Sequence, residues 1–172
     1  MPTETWNKNM NYGDVNYCVL RYADVVLMAA EAYNETGNTT EAWNLLNRVR
    51  ARAGATEYTD ANYEELMATR KATHDLTFID DGSAQGRFRT ALYWERGFEL
   101  AFEGERKFDL IRWGVLGDAL RLFGSQSSVN RGTNAAYPAY QNFVDGKNEL
   151  LPIPLVEIQS NPNYEGKNNP GY

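Results

Sequence analysis

The chain has 172 residues, 42% hydrophobic and 23% charged, with a formal net charge of −6. A globular chain of this length can bury roughly 70% of the surface its unfolded form exposes, so it needs neither a metal nor a disulfide staple. The acidic balance and the lack of a basic run exclude a reader of nucleic-acid backbones, and a lone cysteine, Cys18, excludes an internal disulfide.

Met1 to Trp6 is polar, and no apolar stretch reaches the ~18 residues of a membrane span. Cys18 follows Val15-Asn16-Tyr17 with no apolar signal, so it is not read as a lipid anchor. The chain is expected to be soluble, a mature fragment of something longer.

Residues 1–20, rich in Asn and Tyr, read as a loop or extended lead-in. Arg21 to Glu35 reads as helix, with Ala23, Val26, Leu27, Ala30 and Tyr33 or Asn34 at i, i+3, i+4, i+7 spacing. Gly37 stops it, and Asn38 with Glu41 three residues on resembles a capping box. The second helix spans Thr39 to Ala53, with Ala42, Leu45, Leu46, Val49 and Ala53 inward, and ends at Gly54. So short a turn makes the pair antiparallel, and the layout resembles one tetratricopeptide repeat. A lone repeat must pack on something else.

A weaker helix is expected from Asn62 to Thr73, capped by Asn62 and Glu65, before a break at Asp80-Asp81-Gly82-Ser83. Helical spacing returns from Arg87 to Glu103; after Gly104 one further helix is expected through Phe108, Ile111, Val115, Ala119 and Leu122. Residues 124–149 read as a long loop, a length that is usually functional or disordered. Leu150 to Leu155 is expected to be extended, because Pro152 and Pro154 forbid helix, and the remaining tail to be turn-rich.

Chemistry has little to build on. His74 is the sole histidine, so no clustered zinc site exists, and no Gly-x-Ser-x-Gly elbow or phosphate loop occurs. Asp80 and Asp81 beside Gly82 faintly resemble a calcium loop but lack the alternating ligands and closing Glu, so a solvated turn is preferred. No metal or cofactor is expected. Asn38-Thr39-Thr40 is formally a glycosylation acceptor, but the helix cap already explains it.

Glu95, Glu99 and Glu103 share one helix face, and a carboxylate pair could in principle hydrolyse a glycoside. An internal network with Arg96, Arg106 and Arg112 explains the stripe without a cleft, so no catalytic residue is assigned. Trp43, Trp94, Phe98, Phe102, Phe108 and Trp113 fall at helical spacing and are expected in the core. Trp6 and Tyr12 in the lead-in and Tyr137 and Tyr140 in the long loop are left over. Each offers a flat face and a polar edge for stacking on a ligand, and these four are the candidate binding residues.

Four collinear strings resemble the C-terminal region of the SusD/RagB family. They are Leu20 to Met28 with Ala30-Glu31-Ala32; Leu46 to Gly54; Glu95-Arg96, Glu99 to Gly104, Arg106 and Phe108 to Gly114; and Leu151 to Pro154, Glu157-Ile158, Asn161-Pro162 and Asn169 to Tyr172. The resemblance implies a mainly helical fold with tetratricopeptide-like hairpins. It implies an outer-membrane, lipid-anchored, cell-surface protein of Bacteroidetes that binds glycans or other nutrients, partners a TonB-dependent transporter and does no chemistry. On this reading residues 1–172 form one unit: a hairpin at 20–54, paired helices at 87–123, and a loop and tail at 124–172. The family's N-terminal repeat helices and lipobox cysteine are missing, and Gly97 interrupts a helical motif. A protein-docking helical module is the second reading and a small glycoside-processing enzyme the third. Self-association is expected if the hairpin has lost its neighbours.

Overall fold

The computed structural model describes residues 18–73, 76–127, 141–164 and 166–172. They form seven helices: α1 Tyr22–Glu35, α2 Thr39–Arg52, α3 Tyr63–Thr73, α4 Ala84–Glu99, α5 Arg106–Arg112, α6 Leu116–Ser127 and α7 Leu155–Ser160. A short 3-10 turn follows at Pro162–Tyr164, and no strand occurs among the described residues.

The hairpin forms where the spacing places it. Gly37 has φ +90°, a left-handed value open to glycine, and its N–H donates to the Asn34 carbonyl at 3.0 Å. Asn38 N–H donates to the Tyr33 carbonyl at 2.8 Å, completing the 6→1 and 5→2 pair that ends a helix. The Asn38 side chain then accepts from Glu41 N–H at 3.3 Å and starts α2. Only half of the expected box is made, because the Glu41 carboxylate binds the Asn44 amide instead.

Two apolar clusters make the core. One joins α1, α2, α3 and the first half of α4, around the fully buried Leu27, Leu46, Met67 and Phe88. The other joins the second half of α4 to α5 and α6, around Tyr93, Leu110, Leu116 and Ala119. Trp94 and Trp113 pack against both, and α4 is the shared spine.

Several boundaries differ from the sequence reading. α3 lacks the expected cap, because the Asn62 side chain turns back to accept from Thr59 N–H at 2.8 Å and to donate to the Glu57 carbonyl at 2.9 Å. α4 begins at Ala84, where the Ser83 hydroxyl accepts from Gly86 N–H at 2.9 Å, and it ends at Glu99 rather than Glu103. The expected single helix from 104 to 122 is two, broken at Gly114, which has φ +70° and the same closing pair as Gly37. Leu155 is not extended: it opens α7 as soon as Pro154 has passed.

The aromatic expectation splits. Trp43, Trp94 and Trp113 pack against the core, but Phe98, Phe102 and Phe108 are exposed. The chain leaves helical geometry after Glu99 and Phe102 turns left-handed at φ +66°, so the spacing no longer reports a shared face.

The tail closes on itself. Asn168 takes both backbone groups of Ile153, accepting from its N–H at 2.7 Å and donating to its carbonyl at 3.3 Å. Asn169 donates to the Leu151 carbonyl and the Tyr172 hydroxyl to that of Leu150. Side chains thus stand in for a partner strand along 150–153.

Candidate functional site

The carboxylates Glu95 and Glu99 of α4 and Glu103 of the turn after it are all ion-paired. Glu95 pairs with Arg50 at 2.5 Å, with both side chains more than 90% buried. Glu99 takes Arg21 at 2.5 Å and Arg52 at 2.6 Å, and Glu103 takes Arg21 at 2.7 Å. Arg21 also donates to the Glu99 carbonyl. Hydrogen bonds to Glu103, and then to Glu99, outweigh burial and hold the Arg21 guanidinium above its already high range.

A network was expected here, but its partners are not Arg96, Arg106 and Arg112. Arg96 is buried between Asp24 at 2.7 Å and Asp109 at 2.8 Å. Arg112 binds Glu31 at 2.5 Å and Asp109 at 2.9 Å, while Arg106 lies over the Tyr93 ring and donates to its carbonyl. The cations that reach the stripe come instead from the lead into α1 and from the end of α2. Glu95 and Glu99 are thus shut away from any substrate, and the geometry joins helices rather than opening a cleft.

The same pairs explain the motif strings. Arg21, Asp24 and Glu31 of the first string meet Arg96, Glu99, Glu103 and Arg112 of the third. Arg50 and Arg52 of the second also reach the third. Strings far apart in sequence are the two halves of cross-braces.

Of the sequence-predicted site residues, Trp6, Tyr12, Tyr137 and Tyr140 lie outside the described residues, as does His74. Asp80 and Asp81 are within them. Their carboxylates accept from the N–H groups of Gly82 and Ser83 at 3.0 Å each, the hydrogen bonding of a self-contained turn. The Ser83 hydroxyl adds a bond at 2.5 Å, and these bonds, the hydroxyl's first, hold Asp81 below the usual carboxylate range.

Concavities lie elsewhere. One of about 300 Å³ is lined by Phe78, Ile79, Leu92 and Trp113, with the Glu35–Arg89 pair at its lip. Another, of about 310 Å³, lies where α2 meets the 55–62 loop and the start of α4. Trp43, Tyr58 and Tyr63 wall it with mutually tilted or edge-on rings 5.7–6.0 Å apart. The Asn47 amide fixes that loop, bonding both the N–H and the carbonyl of Tyr58 at 2.8 Å. The sequence placed Trp43 in the core and had no means to show that one edge of it borders a cavity, because the loop opposite carries no periodic signal.

Helices cross-braced by buried ion pairs define a helical scaffold. The chain belongs to the SusD family, whose model matches residues 3–172. It is 36% identical to the SusD-like protein P25 of Formosa agariphila over 152 residues, which is 88% of this chain and 23% of that protein. It is 33% identical to the SusD-like protein P2 of the same organism over 165 residues, 95% of this chain and 27% of that protein. Among solved structures, a SusD homologue from Bacteroides thetaiotaomicron superposes with a TM-score of 0.67 at 34% identity, covering 93% of this chain and 28% of the other. A SusD superfamily protein from Bacteroides vulgatus, with a TM-score of 0.58 and 24% identity over 97% of this chain and 31% of its own, shares the fold. The chain thus spans about a quarter of the length of these curated relatives.

Proposed function

We propose that this chain is the non-catalytic, C-terminal scaffold unit of a cell-surface nutrient-binding protein that captures glycan or a similar nutrient. The whole protein is lipid-anchored at the outer membrane and hands its ligand to a TonB-dependent transporter. The observation that carries this reading is the Glu95, Glu99 and Glu103 set at the end of α4 and just past it: three carboxylates that could have formed a hydrolytic pair are committed to arginines on other elements. Membership of the SusD family supports the nutrient-binding half. The test is calorimetry against a glycan panel combined with prolonged incubation of the same oligosaccharides. Binding or no binding with intact oligosaccharide fits a scaffold unit, whereas released reducing ends that disappear in Glu95→Gln or Glu99→Gln would overturn it.

A second reading, protein docking, is favoured by the outer face of α1. Tyr22, Val25, Met28 and Tyr33 are all at least 40% exposed there, an apolar row along a helix that should cover its own. Cross-linking to the transporter, or to a second copy of the chain, through Met28→Cys would reveal whether that face is occupied.

A further inference from the structure

We propose that the cavity walled by Trp43 binds one ring of a neutral saccharide, making the scaffold hairpin itself a sugar subsite. The assignment rests on the nutrient-binding reading above. It adds a location and a ligand charge, and it places binding outside the lead-in and the long loop.

The cavity has the two surfaces a sugar needs. Trp43 is partly buried and gives an apolar wall, held by edge contacts with Tyr58, Tyr63 and Phe88. Its indole N–H has no hydrogen-bond partner among the described residues. The tyrosine hydroxyls are spent elsewhere, Tyr63 on the Arg87 carbonyl at 2.9 Å and Tyr58 on Arg70, so the wall stays apolar.

The rim carries polar groups with hydrogen-bonding capacity to spare. Arg87 lines the cavity with its guanidinium packed over the Tyr63 ring at 4.5 Å. Its carboxylate partner, Glu64, is 3.9 Å from Nε, too far for a hydrogen bond, and that buried Nε has no hydrogen-bond partner among the described residues. A buried donor left unpaired in a folded protein needs an explanation. A ligand that draws the outer guanidinium nitrogens forward supplies one. The Asp60 carboxylate and the Thr40 hydroxyl also line the cavity without a hydrogen-bond partner among the described residues, and Asn44 keeps its amide oxygen free.

Charge selects the ligand. Arg87 donates and Asp60 accepts, a combination that suits hydroxyl groups, which do both. A phosphate or uronate would face Asp60 and Glu64, and an ammonium would face Arg87. About 310 Å³ is at the small end of ligand pockets, room for one ring with its neighbours in solvent. The loop is already pinned by Asn47, so little ordering is required on binding.

The test is an NMR titration of the whole chain with glucose, galactose, mannose, maltose and glucuronate, followed at the four tryptophan indole signals. The expected result is a saturable shift of the Trp43 indole with at least one neutral sugar. Asp60→Asn and Arg87→Gln, on separate elements and outside the core, should each weaken it about tenfold, the usual effect of losing a hydrogen bond to a charged group. The double variant Tyr137→Ala/Tyr140→Ala should leave it unchanged.

Sugar binding that leaves Trp43 unmoved and vanishes in the Tyr137/Tyr140 variant would overturn the subsite while sparing the nutrient-binding reading. So would a glucuronate preference. No shift with any sugar at tens of millimolar would also overturn the subsite. Failure of the wider reading would be seen separately, as oligosaccharide cleavage.

Discussion

Gly97 sits in the last turn of α4, where a β-carbon would meet the Arg106 guanidinium at 3.5 Å, an ordinary contact. A helix-interior glycine costs up to ~1 kcal/mol relative to alanine. Gly97→Ala is therefore expected to raise stability by about 0.5–1 kcal/mol, seen as a higher urea midpoint at unchanged slope. Phe102 tests the corrected aromatic assignment. A core phenylalanine cut to a small residue costs about 3–5 kcal/mol. Phe102 is fully exposed and left-handed, so Phe102→Gly removes strain as it adds chain entropy and should change stability by less than about 1 kcal/mol. Arg96 is the opposite case. Arg96→Met leaves Asp24 buried without its cation and Asp109 with Arg112 alone, and should cost about 3–5 kcal/mol in the same denaturation experiment. The sequence showed that the Glu95, Glu99, Glu103 stripe needed cations, but not which ones. Arg50 lies 45 residues from Glu95 and Arg21 lies 82 from Glu103, and helical spacing says nothing at that range.

Among the elements, the α1–α2 hairpin was the most legible because each of its signals is local. Apolar spacing, Gly37 and Asn38 act within one or two turns, and all three operate, although the Glu41 half of the box is not made and Ala53, expected inward, is exposed past the end of α2. Asn38→Ala should cost about 1 kcal/mol, measurable by thermal unfolding, because one orphan N–H of α2 then loses its acceptor. Legibility failed where tertiary contact overrides pattern. α4 to α6 read as two long helices broken at Gly104, since the apolar spacing runs on through Gly114, yet the left-handed turn at Gly114 redirects the chain. The 150–153 segment was correctly denied a helix up to Pro154, but its partners, Asn168, Asn169 and Tyr172, could be named only from the structure. For the candidate site the limit was sharper. The walls of the Trp43 cavity come from α2, a loop, the start of α3 and α4, and the 55–62 loop carries no periodicity to report its fold.

For the whole molecule, the division into two clusters along α4 raises the question of whether they unfold together. Each holds a fully buried tyrosine, Tyr63 in the first, beside the nearly buried Tyr58, and Tyr93 in the second. Burial pushes the Tyr63 and Tyr93 hydroxyls above the ordinary tyrosine value of 10.0; Asp80 adds to the rise at Tyr63, and Arg106 opposes it at Tyr93. Above pH 10 the unfolded chain therefore loses these protons before the folded one does. The unfolded state then binds fewer protons, so stability falls as pH rises. The stabilising effect is complete below about pH 10 and is lost progressively above it, towards the raised folded values. Stability against urea should be level below that pH and decline beyond it. The Tyr93 hydroxyl has no hydrogen-bond partner among the described residues, so Tyr93→Phe should flatten the alkaline decline at almost no cost at neutral pH. Tyr63→Phe should flatten it too, but gives up the bond to the Arg87 carbonyl, worth about 1 kcal/mol. If α4 couples the clusters, either substitution shifts one common transition seen by both tryptophan fluorescence and circular dichroism. Two transitions, each moved by only one substitution, would mean that the clusters unfold independently and that α4 does not bind them into a cooperative unit.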